Sequence, residues 1–252
     1  MSMLLRSVNG EKRGTHKAVG FLDEFAINHH PVCLEAKARI RPYLDSDRPA
    51  IRRLCCDTGF LGNPVDGLFQ DRELFADLFT KPYLEYEPEW ALVAEVDGRV
   101  IGYLLGAVRR NFDFMLMRSG FETAAKMVFR LAAGRYAGHP RSRRFIRWLL
   151  TTGFWEQPRH PSNAAHLHWD LDKGFRGRGI CLRLWTIYEH RLRQAGVKRC
   201  YGAFFSYKRR RPESVYARYG FSVFDRKRTT LFQPEIAEPM EVVCVQKAFE
   251  GA

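Results

Sequence analysis

Residues 164–196 pass from an alternating run, through a glycine-rich turn, into an amphipathic helix, and this order restricts the chain more than any other feature. Ala165, Leu167, Trp169 and Leu171 share one side of an extended segment, with His166, His168 and Asp170 on the other. That period of two is what a strand with two different faces requires. Ile180, Leu182, Leu184, Ile187, Tyr188 and Leu192 then recur at helical spacing until Gly196. A strand that feeds a helix through a tight turn belongs to a sheet covered by helices, so the expected class is α/β.

The turn itself, Asp172 to Gly179, has the outline of an anion site. Its glycines let the backbone fold closely around a ligand, and the amides and dipole at the start of the next helix favour negative charge. Arg176 and Arg178 add positive charge or point to solvent. Gly177 and Gly179 are followed by Cys181 and Leu182, so the longer dinucleotide-binding pattern is not met, and no Walker lysine pair is present.

Around this unit the chain reads as one elaborated domain over 38–252, after an N-terminal extension over 1–37 with a short helix near Phe21–Ile27. Ala38–Tyr43 is extended, since Pro42 cannot sit in a helix interior. Asp47 reads as the N-cap of a helix through Ile51, Leu54 and Cys55 to about Thr58. Leu74, Phe75, Leu78 and Phe79 give a second helix, and Asp97-Gly98 joins two strand-forming runs, 90–96 and 99–106, in a hairpin. A strand from Val197 to Phe205, a short helix from Pro212 to Tyr219 and strands at 221–224 and 242–248 complete the pattern. The segment at about 108–161 reads as an insertion with helices at 112–131 and 144–150. Arg141, Arg143, Arg144 and Arg147 fit either a basic helix that touches a membrane or a surface helix whose arginines are solvated or paired.

The net charge of +13 attracts phosphates, nucleic acids or acidic membranes without specifying a fold. No DNA- or RNA-binding motif supports a nucleic-acid partner, even with aromatic Tyr207 and Phe232 near the basic runs 208–211 and 226–228. The apolar start, Met3–Leu5, is too short for a secretory leader, and no run is long enough to cross a membrane. The six cysteines have no metal-ligand spacing and are expected to be reduced packing residues of a cytoplasmic protein.

Several features occur in order: Ile40-Arg41-Pro42-Tyr43 with Asp47 before a helix, the Asp97-Gly98 hairpin, the turn Arg176-Gly177-Arg178-Gly179-Ile180, and Tyr216 ahead of Gly220-Phe221. Together they resemble the GNAT superfamily of acyl-coenzyme A-dependent N-acyltransferases, over about 40–224 apart from the insertion. The runs 166–171 and 82–89 are most similar to bacterial acetyltransferases related to the acetyltransferase-like domain of O-linked N-acetylglucosaminidases. The resemblance implies a mixed central sheet splayed around a coenzyme A cleft, with helices on both faces. It implies that Trp169, Asp170 and Leu171 run beside the pantetheine arm, and that amides of Arg176, Gly177, Arg178, Gly179, Ile180 and Cys181 cradle the pyrophosphate. Where the family often has Gln or Arg three residues before the first glycine of the turn, this chain has Gly174.

Direct acyl transfer uses a general base for the amine and a general acid for the departing thiolate. The resemblance implies Tyr216 as the acid, which could equally be a packing residue; Tyr219 is the fallback, although its place beside the helix stop reads as core. For the base, His168 and Asp170 are the candidates, alongside His166 on the same face, Glu95 on the hairpin or a relayed water. The spacing of His166 and His168 could suggest a metal, but no third ligand is apparent, and strand alternation explains it. The expected reaction moves an acetyl or longer acyl group from acyl-CoA to an amine on a small molecule or protein, with no metal. A non-catalytic module that senses acyl-CoA is the other reading. Apolar helices in the insertion would suit a homodimer.

Overall fold

The computed structural model describes residues 38–207 and 213–249. The extension over 1–37, Cys33, the basic run 208–211 and Pro212 lie outside the described residues. One seven-stranded sheet organises the chain: β1 (Arg39–Pro42), β2 (Leu92–Val96), β3 (Arg99–Ala107), β4 (Ala165–Leu171), β5 (Arg199–Tyr207), β6 (Ser222–Thr229) and β7 (Met240–Ala248), in the order β1-β2-β3-β4-β5-β7-β6. Every neighbouring pair is antiparallel except β4 with β5. That parallel pair lasts only two positions, Ala165 opposite Cys200 and His166 opposite Tyr201. Beyond it the strands diverge, while β4 stays paired with β3 as far as Leu171. The sheet is therefore splayed, as the resemblance implied.

Two apolar layers cover the sheet. On one face lie α1 (Arg48–Thr58), α2 (Arg72–Tyr86), α3 (Phe112–Ala132) and α4 (Pro140–Thr151), packed on Val93, Tyr103 and Leu105. On the other, α5 (Ile180–Gln194) sets Leu184, Trp185, Tyr188 and Leu192 against Leu92, Leu104, Ala165 and Leu167. The short α6 (Glu213–Arg218) follows β5. The hairpin turns at Asp97 and Gly98, both at positive φ (50° and 74°), the geometry that matches strand twist.

One local expectation needs correction. Asp47 stands at the N-cap position of α1 but makes no cap bond to the helix. A 3-10 turn over Asp45–Asp47 leads into the helix, so the backbone is already helical there. The carboxylate instead accepts from Arg41 Nη1 and Nη2 (2.6 and 2.8 Å) and from the Leu44 amide (2.9 Å).

The insertion is helical as read, although α4 begins at Pro140 rather than 144, where the missing proline N–H costs no intrahelical bond. Buried Asp71 anchors α3 and the turn after it, accepting from Arg130 Nη1 (2.8 Å) and Tyr136 Oη (2.6 Å). Beyond α4, Glu156 accepts from Trp148 Nε1 (2.7 Å), Thr229 Oγ1 (2.8 Å) and both the amide (2.8 Å) and hydroxyl (2.7 Å) of Thr230. The four arginines of α4 divide. Arg141 and Arg144 pair with Glu235, whereas Arg143 and Arg147 remain exposed.

Candidate active site

At the open end of the splay, β4 runs into the glycine turn. Gly177 and Gly179 have φ of 77° and 73°, a region costly for any residue with a Cβ. Gly179 is the N-cap of α5, and its carbonyl accepts from the Arg183 amide at 3.1 Å. Helical geometry leaves the amides of Ile180, Cys181 and Leu182 without intrahelical acceptors, so they are available to an anion. Upstream, Asp172 holds the turn by accepting from the Gly174 amide (2.9 Å) and from Arg99 Nη2 (2.6 Å). Gly174, the departure from the usual pattern, thus serves the turn's own closure.

The two arginines of the turn are drawn inward to different degrees. Arg176 lies against Gly62, with its Nε 3.4 Å from the Leu171 carbonyl. Arg178 stands over the Phe175 ring at 5.3 Å. Both remain exposed enough to meet a ligand, but neither is freely solvated.

Between the arms, on the α5 side of the sheet, Tyr216 joins the two strands. Its ring stacks on Phe204 of β5 (4.3 Å, 3°) and on Trp169 of β4 (5.7 Å, 20°). Trp169 Nε1 donates toward the Tyr216 hydroxyl at 3.4 Å. Tyr219 meets the edge of Trp169 at 5.5 Å, and its carbonyl accepts from Lys247, so it packs.

On the opposite face of β4, His168 and Asp170 meet around a residue that sequence reading missed. The Tyr103 hydroxyl, on β3, donates to Asp170 Oδ2 at 2.6 Å and lies 3.2 Å from His168 Nε2. A hydroxyl whose proton is given to a carboxylate can only accept from the imidazole, so His168 carries its proton on Nε2 and exposes a lone pair on Nδ1. Nδ1 has no hydrogen-bond partner among the described residues. Desolvation pushes the His168 pKa below the ordinary histidine value, opposed by the charge of Asp170, 3.5 Å away. The imidazole is therefore neutral near pH 7 and fit to take a proton. Burial drives the Tyr103 phenol well above its usual range, and Asp170 adds to this, so it stays protonated.

The other base candidates are engaged elsewhere. His166 Nδ1 shares a proton with Tyr83 Oη at 2.8 Å, its ring stacks on Tyr201 at 4.5 Å, and burial lowers its pKa to about 3. Glu95 accepts from Arg41 Nε and Nη2 (2.9 and 2.7 Å), with β3 between its strand and β4.

Buried Cys55 of α1 also reaches this cluster. Donor atoms of Cys55, His168 and Asp170 all lie within 4.8 Å of one another. The fold thus supplies a third ligand type that the His166/His168 spacing lacked, and it replaces His166 in the set. The Tyr103 hydroxyl bonds to Asp170 and faces His168 Nε2, with the Cys55 thiol beside them. Burial pushes the Cys55 thiol pKa well up, so the sulfur is protonated there. The other cysteines among the described residues are free, and Cys56, Cys200 and Cys244 are buried, as expected for packing residues.

No protein-family model matches the chain, and no curated protein matches it. Solved structures match it in shape. The structure of SsHAT superposes with a TM-score of 0.52 at 24% identity, covering 84% of this chain and 98% of that one. A structure described as an acetyltransferase gives 0.51 at 18% identity, over 84% of this chain and 100% of the other. An N-acetyltransferase from Staphylococcus aureus Mu50 gives 0.50 at 12%, over 84% and 98%. The strand order, the single splayed parallel pair and these likenesses agree: the chain carries the fold of the GNAT N-acyltransferases.

Proposed function

We propose that this chain transfers an acetyl or longer acyl group from acyl-coenzyme A to an amine by direct attack. One observation carries the reading: the parallel pairing of β4 and β5 stops after two positions and opens toward a glycine turn at the start of α5. A long thin ligand with a pyrophosphate suits that cleft. Its phosphates would lie on the amides from Arg176 to Cys181, with Arg176 and Arg178 at the rim, and its pantetheine arm would follow the free edge of β4 from Trp169 to Leu171.

The two faces of β4 then divide the proton chemistry. His168 Nδ1 takes a proton from the ammonium acceptor, and Tyr103 and Asp170 hold the ring in the required tautomer. The amine nitrogen forms its bond to the thioester carbon as the carbon–sulfur bond breaks, and the second proton of that nitrogen, released as the amide forms, restores the phenol of Tyr216. Tyr216, on the other face, gives its proton to the departing thiolate. Base and acid on opposite sides of the strand match the opposite sides of the carbonyl where they are needed. Dependence on acyl-CoA also fits a cytoplasmic location.

The test is thermal stabilisation by acetyl-CoA together with free-thiol release in the presence of an amine panel. Failure of coenzyme A and all its acyl derivatives to bind at millimolar concentration would overturn the proposal. A second reading, an acyl-CoA-sensing module without catalysis, draws on the stacking of Tyr216 between Trp169 and Phe204, which commits that ring to packing. Binding without transfer across the whole panel is its signature.

A further inference from the structure

The insertion is apolar on both sides. α3 turns Phe112, Leu116 and Met127 into the core it shares with α2. Half a turn away it presents Phe114, Met117, Phe121 and Phe129 to solvent, with Phe121 73% and Phe129 74% exposed. An outward row of this kind does nothing for the fold, because a surface helix needs only one apolar stripe. α4 repeats the arrangement with charge added. Phe145 and Ile146 face the same core, while Arg143, Arg147 and Leu150 face away from it, and Trp155 just beyond is 69% exposed. Both helices bury their inner faces in one cluster, so both outer faces point away from it.

Charge identifies what such a face meets. Residues 108–161 hold eleven Lys and Arg against three Asp and Glu, most of the chain's excess of +13. Arg109, Arg118, Lys126, Arg130, Arg135, Arg141, Arg144 and Arg159 are held in ion pairs, but Arg143 and Arg147, on the outer side of α4, make none among the described residues. A second copy set on this face would bring two equally cationic surfaces together. An anionic bilayer would neutralise them, take the aromatic tips at the boundary between headgroups and acyl chains, and let the arginine stems lie along apolar surface with their heads at phosphate. No helix among the described residues is long and apolar enough to cross a membrane, so the contact is lateral.

We infer that the outer face of α3 and α4 docks this protein on a bilayer surface rich in anionic phospholipid. The inference stands independently of acyl transfer.

The test is co-sedimentation of the full chain with phosphatidylcholine vesicles, with and without phosphatidylglycerol, at low and high salt. Binding is expected only with phosphatidylglycerol and should fall as salt rises. The double variant Phe121→Glu/Phe129→Glu, at exposed positions, should bind at least about tenfold more weakly with an unchanged melting temperature. Arg143→Glu/Arg147→Glu should lose a similar factor without removing any apolar group. No sedimentation with phosphatidylglycerol vesicles at low salt overturns the inference, as does equal binding to neutral vesicles or undiminished binding by both variants. A dimer in light scattering that Phe121→Glu converts to a monomer assigns the face to a second copy and overturns it too.

Discussion

Replacing Tyr103 with Phe removes one oxygen from the centre of the candidate site and leaves the buried ring in place. That oxygen donates to Asp170 at 2.6 Å and meets His168 Nε2 at 3.2 Å. A hydrogen bond to a charged group contributes about 1.5–3 kcal/mol. The Asp170 side chain is 24% exposed, so water takes over part of the role, and the expected net loss is about 1–2 kcal/mol. For a chain of this size that lowers Tm by about 2–8 °C. The larger effect is expected on turnover. Without the phenol, His168 loses the partner that fixes its proton on Nε2, and a base worth about 10²–10⁴ in rate is no longer held in one tautomer. Free-thiol release from acetyl-CoA should fall about 10–100-fold, while KM for acetyl-CoA stays within about threefold, because the hydroxyl lies on the face away from Tyr216 and α5.

The pH profile separates positioning from simple damage. Burial disfavours the His168 cation more than Asp170 favours it, so kcat/KM should have its acid limb below the ordinary histidine value and be flat through neutrality. In Asp170→Asn the favouring charge is gone, and the limb should move lower still. Unchanged turnover in a Tyr103→Phe protein that shows the stability loss would refute the positioning role. So would an acid limb that Asp170→Asn leaves in place.

Tyr216→Phe keeps the ring that stacks on Phe204 and Trp169, so it should lower turnover by about tenfold or more while acyl-CoA affinity is retained; unchanged turnover removes Tyr216 as the acid. Gly179→Val forces a β-branched residue to a φ of 73° at the start of α5 and should weaken acyl-CoA binding by about tenfold or more, read by calorimetry, for about 1–2 kcal/mol of backbone strain. Glu156→Gln should cost about 1–3 kcal/mol in chemical denaturation, since four donors converge on this carboxylate. Desolvation pushes the Glu156 pKa up, but the donors from Thr230, Trp148 and Thr229 outweigh it and hold it below the ordinary glutamate value. Its contribution should therefore be fully present above that ordinary value and disappear as pH falls through the depressed one; a Gln variant whose deficit is equal at acid and neutral pH would contradict this.

What the sequence revealed and what it hid follow from how far each signal reaches along the chain. The turn at 172–179, the hairpin at 97–98 and the alternation of 165–171 are written in consecutive residues, and each stands where local periodicity put it. That His168 and Asp170 lie together was legible because they share a strand face. Tyr103 was not, because only the register of β3 against β4 sets it opposite Asp170. Cys55 arrives from α1, more than a hundred residues before His168, by packing that leaves no periodic trace. Asp47 misled although its partner is close: its context is that of a helix cap, but Arg41, six residues upstream on β1, claimed the carboxylate. Whether Arg178 points to solvent was not legible either, because only the fold places the Phe175 ring beneath it.

The short partnership of β4 and β5 has a consequence for solubility. An unpaired strand edge invites any passing chain to extend the sheet, and proteins usually blunt such edges with charge, proline or a covering element. Here two unpaired edges lie inside the sheet and face each other across a wedge that closes at His166 and Tyr201. An intruding strand would have to pair with an edge that slants away from it and would be stopped where the arms meet. A flexible, narrow molecule can enter such a wedge and borrow the idle backbone groups. The same divergence that makes room for a ligand thus keeps the centre of the sheet from becoming a template for aggregation.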